Sequence, residues 1–159
     1  MTKDYFSDFE LFGYKRKFDK QFLLNLNKTR GEFGSTFNVS PLKGAVVRWD
    51  RIKSRHNINY WGSFQAVDLF PKSRTGNCGI KTANEAIDLV ELCLKNNING
   101  IGVYPHFTYR GVKWWGFHLD NRGKRGECIW IDTARYPKHH YEYQKTIDHL
   151  YNSLKRYER

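Results

Sequence analysis

The chain has no run of about 18 apolar residues, so no membrane-spanning helix is expected. Its first residues, Met1-Thr2-Lys3-Asp4-Tyr5-Phe6, lack an apolar core followed by a small-residue cleavage site, and no secretory signal is expected. Cysteine is scarce. Cys78, Cys93 and Cys128 are an odd number without a Cys-x-x-Cys pair, which argues against a disulfide framework or a cysteine-zinc site. Reduced thiols that serve as packing residues, in a protein made in a cytoplasm, are the expected state. Internal repeats and low-complexity linkers are also missing. Acid is in short supply: 16 Asp and Glu face 27 Lys and Arg, for a net charge of +11. Such a surface favours polyanions, whether nucleic acid, anionic lipid or wall polymers such as teichoic acids, and charge alone does not choose among them.

What is present is enough for a core. Of 159 residues, 40% are apolar and 16% aromatic, so one domain spanning 1–159 is expected. Its core covers about 18–135, and a C-terminal helix covers about 139–157. Ser7-x-x-Glu10 reads as a capping box on a short turn. Phe18, Phe22 and Leu26 fall at helical spacing and predict a helix over Asp19–Thr29, ended by Gly31 and Gly34. Phe37–Val39 and Gly44–Trp49 read as strands, and 50–59 as a basic loop.

Residues 64–70 alternate, with Gln65, Val67 and Leu69 on one face and Phe64, Ala66, Asp68 and Phe70 on the other. Thr82-x-x-Glu85 caps a helix whose stripe is Ala86, Val90, Cys93 and Leu94. Ile101–Tyr104 and Val112–Asp120 are further strands, the second with Trp115, Phe117 and Leu119 on one face and Trp114, Gly116, His118 and Asp120 on the other. Residues 121–126 read as a hairpin-like loop leading to a partner strand over Glu127–Asp132. Tyr143, Ile147, Leu150, Tyr151 and Leu154 form the stripe of the last helix, with His139-His140 as its solvated start. The expected fold is α+β: a central, mostly antiparallel sheet with helices on one side and at the ends.

One constellation can do chemistry. An aspartate on a small, apolar strand face needs a partner or a metal, because burying an unpaired carboxylate is costly. A catalytic zinc takes three protein ligands and keeps one open position. His56, Asp68 and His118 can supply those ligands, Asp68 and His118 from one sheet face and His56 from the loop before it.

Ser54-Arg55-His56, Gly62 and Ala66-Val67-Asp68 resemble the Ser-x-His…Gly-x-Ala-x-Asp signature of the D-Ala-D-Ala carboxypeptidase-like (M15-type) zinc peptidases. Gly100-Ile101-Gly102-Val103-Tyr104-Pro105, Phe117-His118-Leu119-Asp120 and Arg122 resemble a second segment of the same family, which includes phage endolysins and wall-trimming enzymes. The resemblance spans roughly 20–132. It departs from the family in two ways. The His56–Asp68 spacing is longer, with the extra residues around Asn57–Trp61, and no acid precedes the second histidine.

The resemblance implies zinc on the open sheet face, held by His56, Asp68 and His118. It implies Arg48 as the anchor of a substrate carboxylate; in place of the missing acid, Asp120, which shares a strand face with His118, or His106 is the candidate proton-handling group. Trp114 and Tyr104, with the 105–111 loop, would line the groove. The implied activity is hydrolysis of peptidoglycan stem peptides, as a D,D-carboxypeptidase or an endopeptidase, at the bacterial wall after release or within a virion. The basic surface would hold anionic wall polymers. Two alternatives stand beside it. One is a nucleic-acid-binding module that stacks bases on Tyr104, Phe107, Tyr109, Trp114 and Trp115. The other is an inactive wall-binding or virion structural protein of the same fold.

Overall fold

A computed structural model describes residues 4–48, 54–76, 78–123, 126–134 and 138–158. In chain order, its elements are α1 (Lys20–Phe33), β1 (Phe37–Val39), α2 (Ile58–Trp61), β2 (Ala66–Pro71), α3 (Ala83–Lys95), β3 (Gly100–Tyr104), β4 (Thr108–Tyr109), β5 (Val112–Lys113), β6 (Gly116–Asp120), β7 (Cys128–Asp132), β8 (Tyr141–Gln144) and α4 (Ile147–Lys155). The fold is α+β, as expected: a six-stranded sheet in the order β1-β2-β6-β3-β7-β8, antiparallel except for the β3–β7 pair. No described helix is long and apolar enough to cross a membrane.

Strand alternation divides the sheet into a dry and an open face. Val67, Leu69, Ile101, Val103, Phe117, Leu119, Ile129 and Ile131 join Phe22 and Leu26 of α1, Leu89 and Val90 of α3, and Leu150 and Leu154 of α4 in one core. Local chemistry sets the helix ends. Asp19 accepts from the Phe22 amide to cap α1, and Gly34 closes it in the left-handed region, so the helix passes through Gly31. Thr82 accepts from the Glu85 amide to cap α3. The Glu85 carboxylate does not complete that box; it takes Ser73 Oγ at 2.8 Å and the Arg74 amide at 2.9 Å, tying the preceding loop to the helix.

The structure corrects four expectations. Lys43–Ala45 is a 3-10 turn, so the strand expected over Gly44–Trp49 is not formed in its described part, and Trp49 lies outside the described residues. Arg48 folds back instead, its Nε donating to the Gly44 carbonyl at 2.8 Å. The strand expected over Val112–Asp120 breaks at Trp114–Trp115. There Trp115 is fully buried, and the Trp114 indole donates to the Pro71 carbonyl at 2.5 Å. Its N-terminal part pairs instead with Thr108–Tyr109 as a separate hairpin, turning through Arg110 and Gly111, both at positive φ.

The strand β7 does not pair with β6. β3 lies between them, because the chain after Asp120 crosses β3 and adds parallel to its far side. Finally, the last helix begins only at Ile147. Residues 141–144 form edge strand β8, on which Tyr143 is exposed, and His139-His140 precede that strand rather than a helix.

Candidate metal centre

Asp68 and His118 are directly opposed across the antiparallel β2–β6 pair, and Gly102 opposes His118 from β3. All three point to the open face. His56 arrives from the loop before β2 and is 1% exposed. Its main chain is held by a bond from the Arg48 amide to the His56 carbonyl at 3.2 Å.

The donor atoms converge. His56 Nε2 lies 3.4 Å from His118 Nδ1 and 3.6 Å from Asp68 Oδ1, and His118 Nδ1 lies 2.8 Å from Asp68 Oδ1. Ligands at 2.0–2.2 Å from a tetrahedral zinc lie about 3.3–3.6 Å from each other. Two of the three edges have that length. The third is shorter because His118 and Asp68 are in direct hydrogen-bond contact. The far nitrogens are also engaged. His118 Nε2 is 2.9 Å from Asp120 Oδ2, and His56 Nδ1 is 3.4 Å from the Val46 carbonyl. A ligand histidine whose other nitrogen is held by a carboxylate or a carbonyl has its ring orientation set for a metal. The donor set could hold a metal ion.

Electrostatics follow from this packing. Burial pushes the His56 imidazole below its ordinary value, more strongly than the Asp68 charge raises it. Burial opposes ionisation of Asp68, but the two imidazoles overcome it and hold the carboxyl well below the usual range. At His118 burial is outweighed by Asp120 and Asp68, which raise the imidazole to about 9. Asp120 is 1% exposed and is held low by His118 and Arg122, against burial. Arg122 Nη2 reaches Asp120 Oδ2 at 3.1 Å.

Two glycines make the site possible. A Cβ on Gly100 would lie 1.9 Å from Asp120 Oδ1, and one on Gly102 would lie 2.5 Å from the Trp130 indole. The Gly-x-Gly of β3 is therefore a floor over which Asp120 and Trp130 lie, with Trp130 beside His118 at a ring separation of 5.4 Å.

Between His56 and Asp68, Ile58–Trp61 form one turn of helix, α2, capped by Asn57 and closed by Gly62 at positive φ. The excursion leaves and returns at a single point, where Gln65 N bonds the Arg55 carbonyl at 3.0 Å.

A cleft of about 830 Å³ opens at Asp68 and is lined also by Arg48, Tyr104, His106, Phe107 and His139. Arg48 Nη2 donates to Asp68 Oδ2 at 2.6 Å, so its guanidinium sits beside that carboxylate. Burial, and then the Asp68 charge, push the Tyr104 phenol well above its ordinary value, which keeps it a neutral donor. His106 packs edge-on to Tyr157 at 4.7 Å.

Asp120 and Trp114 sit elsewhere. Asp120 lies behind His118, not in the cleft lining. Trp114 lines a second cleft with Tyr109, Arg110 and Lys72. Trp115 is fully buried and offers no face to a nucleic-acid base.

A cleft residue that sequence reasoning missed is His139, whose Nδ1 is bonded to Asp132 behind it. The one signal available was Asp132 itself, an acid at the end of an alternating strand on the face away from Ile129 and Ile131. Comparisons of the chain with protein-family models, with curated proteins and with solved structures find no match.

Proposed function

We propose that the chain is a zinc-dependent peptidase that hydrolyses peptide bonds of bacterial peptidoglycan stem peptides, as a D,D-carboxypeptidase or an endopeptidase. The observation that carries this is the convergence of His56 Nε2, Asp68 Oδ1 and His118 Nδ1, mutually within 4.8 Å, at the edge of a cleft large enough for a peptide. When bound, zinc supplies Lewis acidity, which lowers the pKa of water and polarises a carbonyl. The protein's own groups do the rest.

Asp120 holds the His118 ring and keeps its Nδ1 turned to Asp68 and His56. Arg48, beside Asp68, offers a guanidinium fork to a substrate carboxylate. Tyr104 is a neutral hydroxyl donor in the cleft wall, and His106, one of two imidazoles lining it, would move the proton. The net charge of +11 favours retention on anionic wall polymers, with action at the wall after release or as a virion component.

Metal analysis of the purified protein, together with chromatography of digested muropeptides, tests the proposal. The expected result is about one zinc per chain, lost in His118→Ala, and zinc-dependent release of cleaved stem peptides. Zinc below about 0.2 per chain, unchanged by His118→Ala, overturns it.

A further inference from the structure

The open face of the sheet carries a second histidine–aspartate pair. Asp132 ends β7 and is 1% exposed. Its Oδ1 accepts the amides of His140 at 2.9 Å and Ala134 at 3.2 Å. Its Oδ2 lies 2.5 Å from Nδ1 of His139. The His139 side chain is 33% exposed and its ring stacks on Tyr141 at 5.6 Å and 21°. The same ring lines the cleft that Asp68, Arg48 and Tyr104 line.

A buried carboxylate is a costly way to shape a loop. The two amide bonds alone would tie Ala134 and His140 to the end of β7, and an asparagine could make them. The bond to His139 does something further. It turns Nδ1–H inward and fixes the plane of the ring at the cleft wall, as carboxylates do for ligand and substrate-contacting histidines. In a neutral ring held this way, Nε2 carries the lone pair and accepts a hydrogen bond.

Position defines what the pair can meet. His118, Gly102 and Trp130 lie in one row across β6, β3 and β7, and Asp132 is two residues further along β7. With strands about 4.8 Å apart and a rise of about 3.3 Å per residue, Asp132 lies roughly 12 Å from His118. That backbone separation puts Asp132 itself beyond reach of the bond next to His118. It matches about three residues of extended peptide.

This inference rests on the peptidase reading of the metal centre and deepens it. We propose that the Asp132–His139 pair is a distal substrate anchor, whose imidazole accepts an N–H of an extended peptide about three residues from the bond held at the metal centre. The N–H can belong to a backbone amide or to a side-chain amine, so the cleft selects peptides of about four residues or more.

Two measurements test it. Kinetics of the zinc-loaded protein are compared on a synthetic stem pentapeptide and on the dipeptide containing the same scissile bond. His139→Ala is expected to raise KM for the pentapeptide about tenfold, leaving its kcat, the dipeptide KM and the zinc content unchanged. His139→Gln, which keeps an acceptor near Nε2, is expected to recover most of the loss. Acetylating side-chain amines of the pentapeptide separates the two N–H sources, since an amine contact is lost and an amide contact is kept.

The second measurement is nitrogen NMR of the metal-free protein. Pentapeptide, but not dipeptide, is expected to shift the His139 Nε2 resonance. Equal pentapeptide affinity in wild type and His139→Ala overturns the anchor, as does a resonance that no peptide moves. A resonance that moves in a protein that hydrolyses nothing leaves the anchor standing and removes the peptidase reading.

Discussion

Arg55 and Gln65 are joined twice. The Gln65 amide donates to the Arg55 carbonyl at 3.0 Å, and Arg55 Nη1 donates to Gln65 Oε1 at 2.6 Å. The pair closes the base of the excursion that contains α2, and the Arg55 guanidinium also lies 3.7 Å from the centre of the Trp61 ring. His56 follows Arg55 directly, so this clasp fixes His56 next to it. Arg55→Ala is expected to weaken zinc binding about tenfold without abolishing it, as measured by competition with a chelator. Unchanged affinity would show that the backbone bond alone holds His56.

Asp120 is expected to orient His118. Asp120→Asn should lower zinc affinity by about 10–100-fold, while His118→Ala removes binding. The discriminating measurement is zinc affinity alongside turnover at saturating zinc. If Asp120→Asn bound zinc normally and lost turnover, Asp120 would be the proton-transfer group instead.

The pH dependence follows from His118. Held at about 9, it is protonated at neutral pH in the metal-free protein, and as an imidazolium it donates from both nitrogens to Asp68 and Asp120. Held through Nδ1 of His118, a zinc ion would take the place of that proton. Calorimetry at pH 7 in buffers of different ionisation enthalpy should therefore report about one proton released per zinc, falling towards zero above pH 9. Because the folded value is raised, the stability contributed by this imidazolium is fully present below about pH 6.5 and is lost as pH rises through about 9. Asp68 and Asp120 are held low, so their contribution is lost in acid. Melting temperatures of the chelated protein should fall on both sides of neutrality, and a flat profile above pH 6.5 would contradict the imidazolium bridge.

Gly102→Ala places a methyl 2.5 Å from the Trp130 indole. Overpacking of this kind costs about 1–3 kcal/mol, which urea denaturation followed by tryptophan fluorescence would register. Wild-type stability would mean that Trp130 yields freely and does not support His118.

The sequence by itself determined which residues face which way. Alternation over 64–70 separates Val67 and Leu69 from Asp68, and the stripe through Ile147, Leu150 and Leu154 turns α4 inward. These are local properties, set by side-chain geometry within a few residues.

What only the tertiary structure decided depends on contacts between distant segments. The Arg55–Gln65 clasp lets a lengthened loop return His56 to Asp68. Insertion of β3 between β6 and β7 places Gly102 and Trp130 beside His118. The Trp114 bond to Pro71 breaks a strand that its own alternation would have continued. The Asp132 bond to His139 turns what reads as a solvated helix start into part of the cleft wall. Each depends on a partner 7 to 43 residues away, or on the order in which strands pair, and periodicity over a short window carries neither.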